Sequence, residues 1–154
     1  MPPMEPTDLR AFLTPYPPEV QKLFLAGRAY LLRRFRPVVE LHYDATSAVC
    51  AALSYTGDLE GVFVNLAAYA DHVTLVFAWG VKLKDREGRL RGGGKQVRHM
   101  RLAGMDTLRD PYVVDLVEQA SAGAPKPEGK VRQHIVVKVY EGAKRRPKGA
   151  ATRT

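Results

Sequence analysis

Three consecutive glycines, Gly92, Gly93 and Gly94, run straight into Lys95, and Arg98 and His99 follow within a few residues. Successive glycines let backbone N–H groups turn toward one point, and adjacent cations neutralise what binds there, so these residue types at this spacing suit a phosphate or carboxylate. The predicted ligand site is Gly93, Gly94, Lys95 and Arg98, with Trp79 or Tyr55 packing on the apolar part of a small anionic or phosphate-bearing ligand. It is not a nucleotide-binding P-loop. Arg89 stands where that pattern has its first glycine, Gln96 where it has Ser or Thr, and a strand rather than a helix is predicted to follow. The plainer alternative is a tight solvated turn with ordinary surface charge.

Other chemistry is thinly represented. His42, His72 and His99 with a carboxylate could form a mixed nitrogen and oxygen metal site, but no HxH, HExxH or CxxC spacing occurs, so no metal residues are assigned and no cofactor is required. His99 has no carboxylate nearby in sequence to orient it as a base. Ser47, Ser54 and Ser121 lie in no nucleophile motif, and no dinucleotide fingerprint is present. Cys50, in the apolar run AVCAAL, reads as a small buried hydrophobe. A binding or accessory module is therefore expected rather than an enzyme.

The elements that must position these residues are legible as patterns. Pro18 and Glu19 give a helix start, after which Val20, Leu23, Phe24, Gly27, Leu31 and Phe35 recur at helical spacing, leaving Gln21, Lys22, Arg28 and Arg33 outside the stripe. Pro37 ends that helix, and Gly27 is expected to permit close packing on a sheet. Extended pieces are predicted over residues 38–43, 48–55 and 61–66, with a Thr56-Gly57-Asp58 turn between the last two. Val73, Leu75 and Phe77 alternate with His72, Thr74, Val76 and Ala78, and a further strand carries Arg98, Met100 and Leu102 on one face against Val97, His99 and Arg101. Short links make neighbouring strands antiparallel. Asp110-Pro111 starts a second long helix, with Val113, Val114, Leu116 and Val117 apolar. The predicted class is α+β, an antiparallel sheet of about four to five strands packed against N- and C-terminal helices on one face.

The stretch HVTLVFAWGVKLKDREGRLRGGGKQVRHMRL carries a resemblance. It is similar to the signature of the YdhG-like domain family, and the order of PPEVQKLF, YTGDLEGVFVNL, the signature and DPYVVDLVEQA extends the likeness over residues 8–120. The resemblance implies a fold more than an activity, since the family is largely without assigned function. GGGK here replaces the family's GTGK, removing a hydroxyl from the loop. Some members are described as frataxin-like iron chaperones, which makes iron handling an alternative function. A hard cation wants clustered carboxylates, and Asp58 with Glu60, or Asp106, Asp110, Asp115 and Glu118, form only sparse sets.

The net charge of +8 in 154 residues is unevenly spread. Residues 125–154 hold nine Lys or Arg against two carboxylates, a net +7. They are predicted to form a basic extension beyond a domain of residues 1–124, with one strand over 131–140 and a disordered end. That strand suits either a sheet edge in the same chain or pairing in a homodimer. Lys144, Arg145, Arg146 and Lys148 make nucleic-acid association through the tail the second expected function. With no apolar run long enough to span a bilayer, no export signal and one cysteine, the chain reads as cytoplasmic, with no membrane partner.

Overall fold

A computed structural model describes residues 7–45 and 47–139. Its fold is α+β, built on one six-stranded sheet. Helix α1 (Thr7–Leu13) leads into α2 (Pro18–Phe35), and then come β1 (Val39–Asp44), β2 (Val49–Ser54), β3 (Val62–Ala68), β4 (Val73–Phe77) and β5 (Arg98–Leu102). The short helix α3 (Met105–Arg109) precedes α4 (Pro111–Ala122), and β6 (His134–Val139) closes the described chain. The strand order is β5-β4-β3-β2-β1-β6. The first five strands form an antiparallel meander, as the short links from β1 to β4 require; the twenty-residue connection from β4 to β5 keeps the same sense.

The expectation of four to five antiparallel strands holds for β1–β5 and is incomplete at the edge beyond β1. The sheet has six strands, and β6 lies parallel to β1, from Val39 against His134 to Asp44 against Val139. It can run parallel because the whole of β2 to α4 intervenes, ample chain for a crossover. Gln133 ties the start of this pairing by accepting a 2.9 Å hydrogen bond from the Val38 N–H. The extension predicted beyond residue 124 therefore contributes a strand to the same sheet, and the described part of that strand begins at His134 rather than 131. Lys144, Arg145, Arg146 and Lys148 lie outside the described residues.

Local sequence explains the helix that dominates the covered face. Pro18 opens α2 and Glu19 complements its first turn. Arg36, held extended by the following proline, closes it by donating its N–H to the Leu32 carbonyl. A Cβ on Gly27 would stand 3.1 Å from a Leu66 methyl and 3.3 Å from one of Leu108, so glycine here lets α2 approach the sheet closely.

One row across the sheet shows how the core is assembled: Met100, Leu75, Leu66, Ala51 and His42 stand side by side from β5 to β1, and the row ends at the exposed Val137 of β6. Phe24, Leu31, Leu108 and Leu116 of the helices close over this face. A smaller cluster of Val39, Leu41, Ala52 and Val62, with Val136 against it, occupies the other face. The turn between β2 and β3 forms as predicted. Gly57 takes φ 84°, and the Asp58 carboxylate accepts the Gly61 N–H at 2.9 Å to start a single 3₁₀ turn.

Candidate functional site

The candidate site grows from the end of β4. Past Phe77 the chain runs so close to β5 that a Cβ on Gly80 would lie 2.3 Å from the Arg98 Cβ and 2.9 Å from its backbone nitrogen. Only glycine fits. A single 3₁₀ turn, Gly80–Lys82, follows, closed by Lys82 N–H to the Trp79 carbonyl at 3.0 Å and Leu83 N–H to that of Gly80 at 3.1 Å. Side chains three apart eclipse in such a turn, and the Lys82 Nζ stands 4.6 Å from the centre of the Trp79 ring.

Trp79 keeps 44% of its surface exposed at the mouth of a cleft of about 480 Å³ between this turn, the start of β3 and the end of α4. Val62, Phe63 and Leu83 give the cleft its apolar lining, and Glu60, Lys82 and Gln119 its polar groups. Behind Phe63, Tyr55 stacks at 4.8 Å and its hydroxyl bonds Ser121 at 2.8 Å. Lys126 stands 4.7 Å above the Tyr55 ring and donates to the Ser121 and Ala124 carbonyls, closing the C-terminal end of α4.

The residues predicted to share one anion site are divided by this geometry. Trp79 is at the cleft mouth and Tyr55 supports its wall, but neither Lys95 nor Arg98 lines it. The Arg98 guanidinium folds back on its own loop, donating to the carbonyls of Gly94 at 2.7 Å and Val97 at 2.8 Å. Gly93 and Gly94 have open space around them, and Lys95 is exposed. The cation beside the indole is Lys82. Its signal in the sequence was the Trp79-Gly80-Val81-Lys82 spacing, which acts only once the chain is wound into a 3₁₀ turn.

The charged connection after this turn is pinned rather than loose. Asp85 accepts the backbone N–H groups of Arg89 (3.0 Å) and Leu90 (2.9 Å) and the Tyr112 hydroxyl (2.5 Å). Burial alone would raise its pKa; these donors outweigh that and hold the carboxyl below its ordinary value. Tyr112 in turn accepts the Glu87 N–H at 2.8 Å, and Arg89 reaches Asp110, the cap of α4, at 3.0 Å. Gln119 spans the same seam, bonding the backbone of Lys84. The Lys84, Arg86, Tyr112, Asp115 and Gln119 side chains frame a second cleft of about 440 Å³, which shares Gln119 with the first.

Sequence reading also missed a buried ionic group. Arg28, placed outside the apolar stripe of α2, is 5% exposed and grips the fully buried Glu40 of β1 with two nitrogens, Nη2 at 2.8 Å. His42, two residues along the strand, brings its Nε2 to 2.9 Å from the same carboxylate and is 1% exposed. Its Nδ1 finds no hydrogen-bond partner among the described residues. Desolvation pushes the Glu40 pKa up, while His42 and Arg28 together more than reverse this and leave it lowered.

The three histidines do not meet. His42 lies beneath the helices, His99 is exposed on β5, and His72 sits beyond the end of β3, its Nδ1 2.6 Å from Asp71 and its ring stacked on Tyr69. The acidic set considered for iron is engaged: Asp110 caps α4 and meets Arg89, Glu118 pairs with Arg34 at 2.6 Å, Asp106 approaches Arg109, and Asp115 accepts from Gln119. Among the described residues no group of three or more His, Cys, Asp or Glu could hold a metal ion, and no helix is long and apolar enough to cross a membrane. No protein-family model, curated protein or solved structure matches the chain.

Proposed function

We propose that this protein is a binding module, YdhG-like by its signature stretch and acting in the cytoplasm, whose ligand is a small organic anion with a planar apolar body. The observation that carries the reading is the half-exposed Trp79 with the Lys82 ammonium 4.6 Å from its ring at the mouth of a cleft with a mixed apolar and polar lining. Phe63, Val62 and Leu83 supply apolar area, and the indole supplies a stacking surface. Lys82 is exposed and in no ion pair with the described residues, so its charge is available to a carboxylate or phosphate. Gln119 adds a neutral amide to the wall. This moves the ligand from the glycine loop to the turn that precedes it.

Trp79 is the sole tryptophan, so the tryptophan emission comes from a residue that lines this cleft. Titrating the full-length chain with 2-naphthoate and with mononucleotides should change that emission saturably, and Lys82→Ala should weaken binding roughly tenfold, the value of one charge-assisted hydrogen bond. Absence of any response to either class, or equal affinity in the Lys82→Ala variant, would sink the reading.

A further inference from the structure

We infer that the ligand of this site is a single-stranded nucleic acid, held along a track that runs from Trp79 through Lys82, Lys84 and Arg86 to Tyr112. The inference rests on the proposed Trp79 cleft and extends it. Three observations carry it. The first is continuity: the Trp79 cleft and the Tyr112 cleft share Gln119, and along the chain Lys82 and Leu83 line the first while Lys84 and Arg86 line the second. The second is charge. Lys82, Lys84 and Arg86 are all exposed and none is in an ion pair with a described residue, whereas the neighbouring Arg89 is engaged by Asp110. The third is the placing of an aromatic ring in each half of the track, Trp79 at one mouth and the partly exposed Tyr112 in the wall of the other, where the Arg89 guanidinium stands 5.0 Å over the Tyr112 ring, so that a base would stack on its opposite face.

A backbone-tracking row of cations with aromatic rings for successive bases is the chemistry by which single strands are bound without sequence preference. A double helix presents no unstacked base to an indole, and a small anion uses only one of the three cations. The track also has the rigidity that such recognition needs. Asp85, between Lys84 and Arg86, is tied inward by Tyr112 and two backbone N–H groups, so the two cations on either side of it stand on a fixed segment. Two carboxylates face the ligand: Glu60 in the first cleft, and Asp115 in the second, where Gln119 donates to it at 2.7 Å. They set a limit on affinity and favour a weak, salt-sensitive mode. The site is distinguished from the basic extension by the replacement of Lys82, Lys84 and Arg86, which leaves residues 125–154 intact.

The test uses the full-length chain, an oligothymidylate of about twelve nucleotides and dTMP, read by Trp79 emission. The oligonucleotide should quench Trp79 and bind at least about tenfold more tightly than dTMP. Its affinity should fall with salt between about 50 and 200 mM, and replacing Lys82, Lys84 and Arg86 together by alanine should flatten the log–log salt slope by about two, near 0.7 for each single-strand phosphate no longer neutralised. Equal affinity for dTMP and the oligomer would overturn the inference while leaving the small-ligand cleft standing. An unchanged slope in the triple variant would place binding elsewhere on the chain and also overturn it. So would displacement of the oligomer by a polyglutamate of equal charge at equal concentration, which would show an acidic peptide surface. If neither naphthoate, dTMP nor oligomer alters Trp79, both the inference and the cleft reading fall.

Discussion

At the scale of single residues, the least replaceable group lies away from the cleft. Arg28 and Glu40 are both removed from water, and their mutual hydrogen bonds offset a desolvation cost that neither could meet alone. Arg28→Met should therefore lower stability by up to about 3–5 kcal/mol, because it leaves the buried Glu40 carboxylate with His42 as its one remaining charged neighbour among the described residues; urea unfolding followed by circular dichroism checks this. The pH dependence follows from the same carboxyl. Its folded pKa is depressed, so its contribution to stability is fully present above the unfolded glutamate range and is lost as pH falls through the lower folded value. The unfolding free energy of the native protein should thus drop more steeply than that of a Glu40→Gln variant once the pH falls below the usual glutamate pKa of about 4.3. Parallel slopes for the two proteins would remove Glu40 from the acid transition.

At the scale of elements, the connection between β4 and β5 sets what the cleft can do. Its fixed shape depends on Tyr112 of α4, whose hydroxyl both donates to Asp85 and accepts from the Glu87 N–H. Tyr112→Phe keeps the ring and deletes the hydroxyl, leaving Asp85 with only its backbone donors. The loss of these hydrogen bonds, about 1–3 kcal/mol of local stability, should open the segment without unfolding the sheet. Limited digestion with trypsin should then cut after Arg86 or Arg89 several times faster than in the native protein, with the thermal midpoint little changed. Unaltered cleavage would mean that Arg89 with Asp110, and Gln119 with Lys84, hold the connection unaided. Gly80 has a comparable role on the other side of the turn, since any side chain there would collide with β5 and displace both Trp79 and Lys82.

At the scale of the whole molecule, β6 completes the described sheet. It covers the outer edge of β1 and brings Val136 against Leu41 in the second apolar cluster. Deleting residues 125–154 should strip that edge, expose backbone donors and acceptors along Val39–Asp44, and promote self-association. The expected fall in Tm is more than about 5 °C, given roughly 2–4 °C per kcal/mol for a chain of this size. An unchanged Tm would show β6 to be dispensable to the fold.

Periodicity by itself determined a good deal: the helix from Pro18 to Phe35, the core face of β4, the glycine turn before β3 and the need for a small residue at Gly27 all follow from local pattern. These features were legible because each is decided by residues within a few positions of one another. Position 28 was misread for the opposite reason. A helical wheel assigns a cation outside the apolar stripe to solvent, and only packing brings Arg28 onto Glu40, twelve residues away on another element. The parallel sixth strand, the inward-tied Asp85 and the meeting of Trp79 with the end of α4 have the same origin. Each joins segments far apart in the chain, and such contacts are fixed by the layering of helices on the sheet rather than by any local spacing.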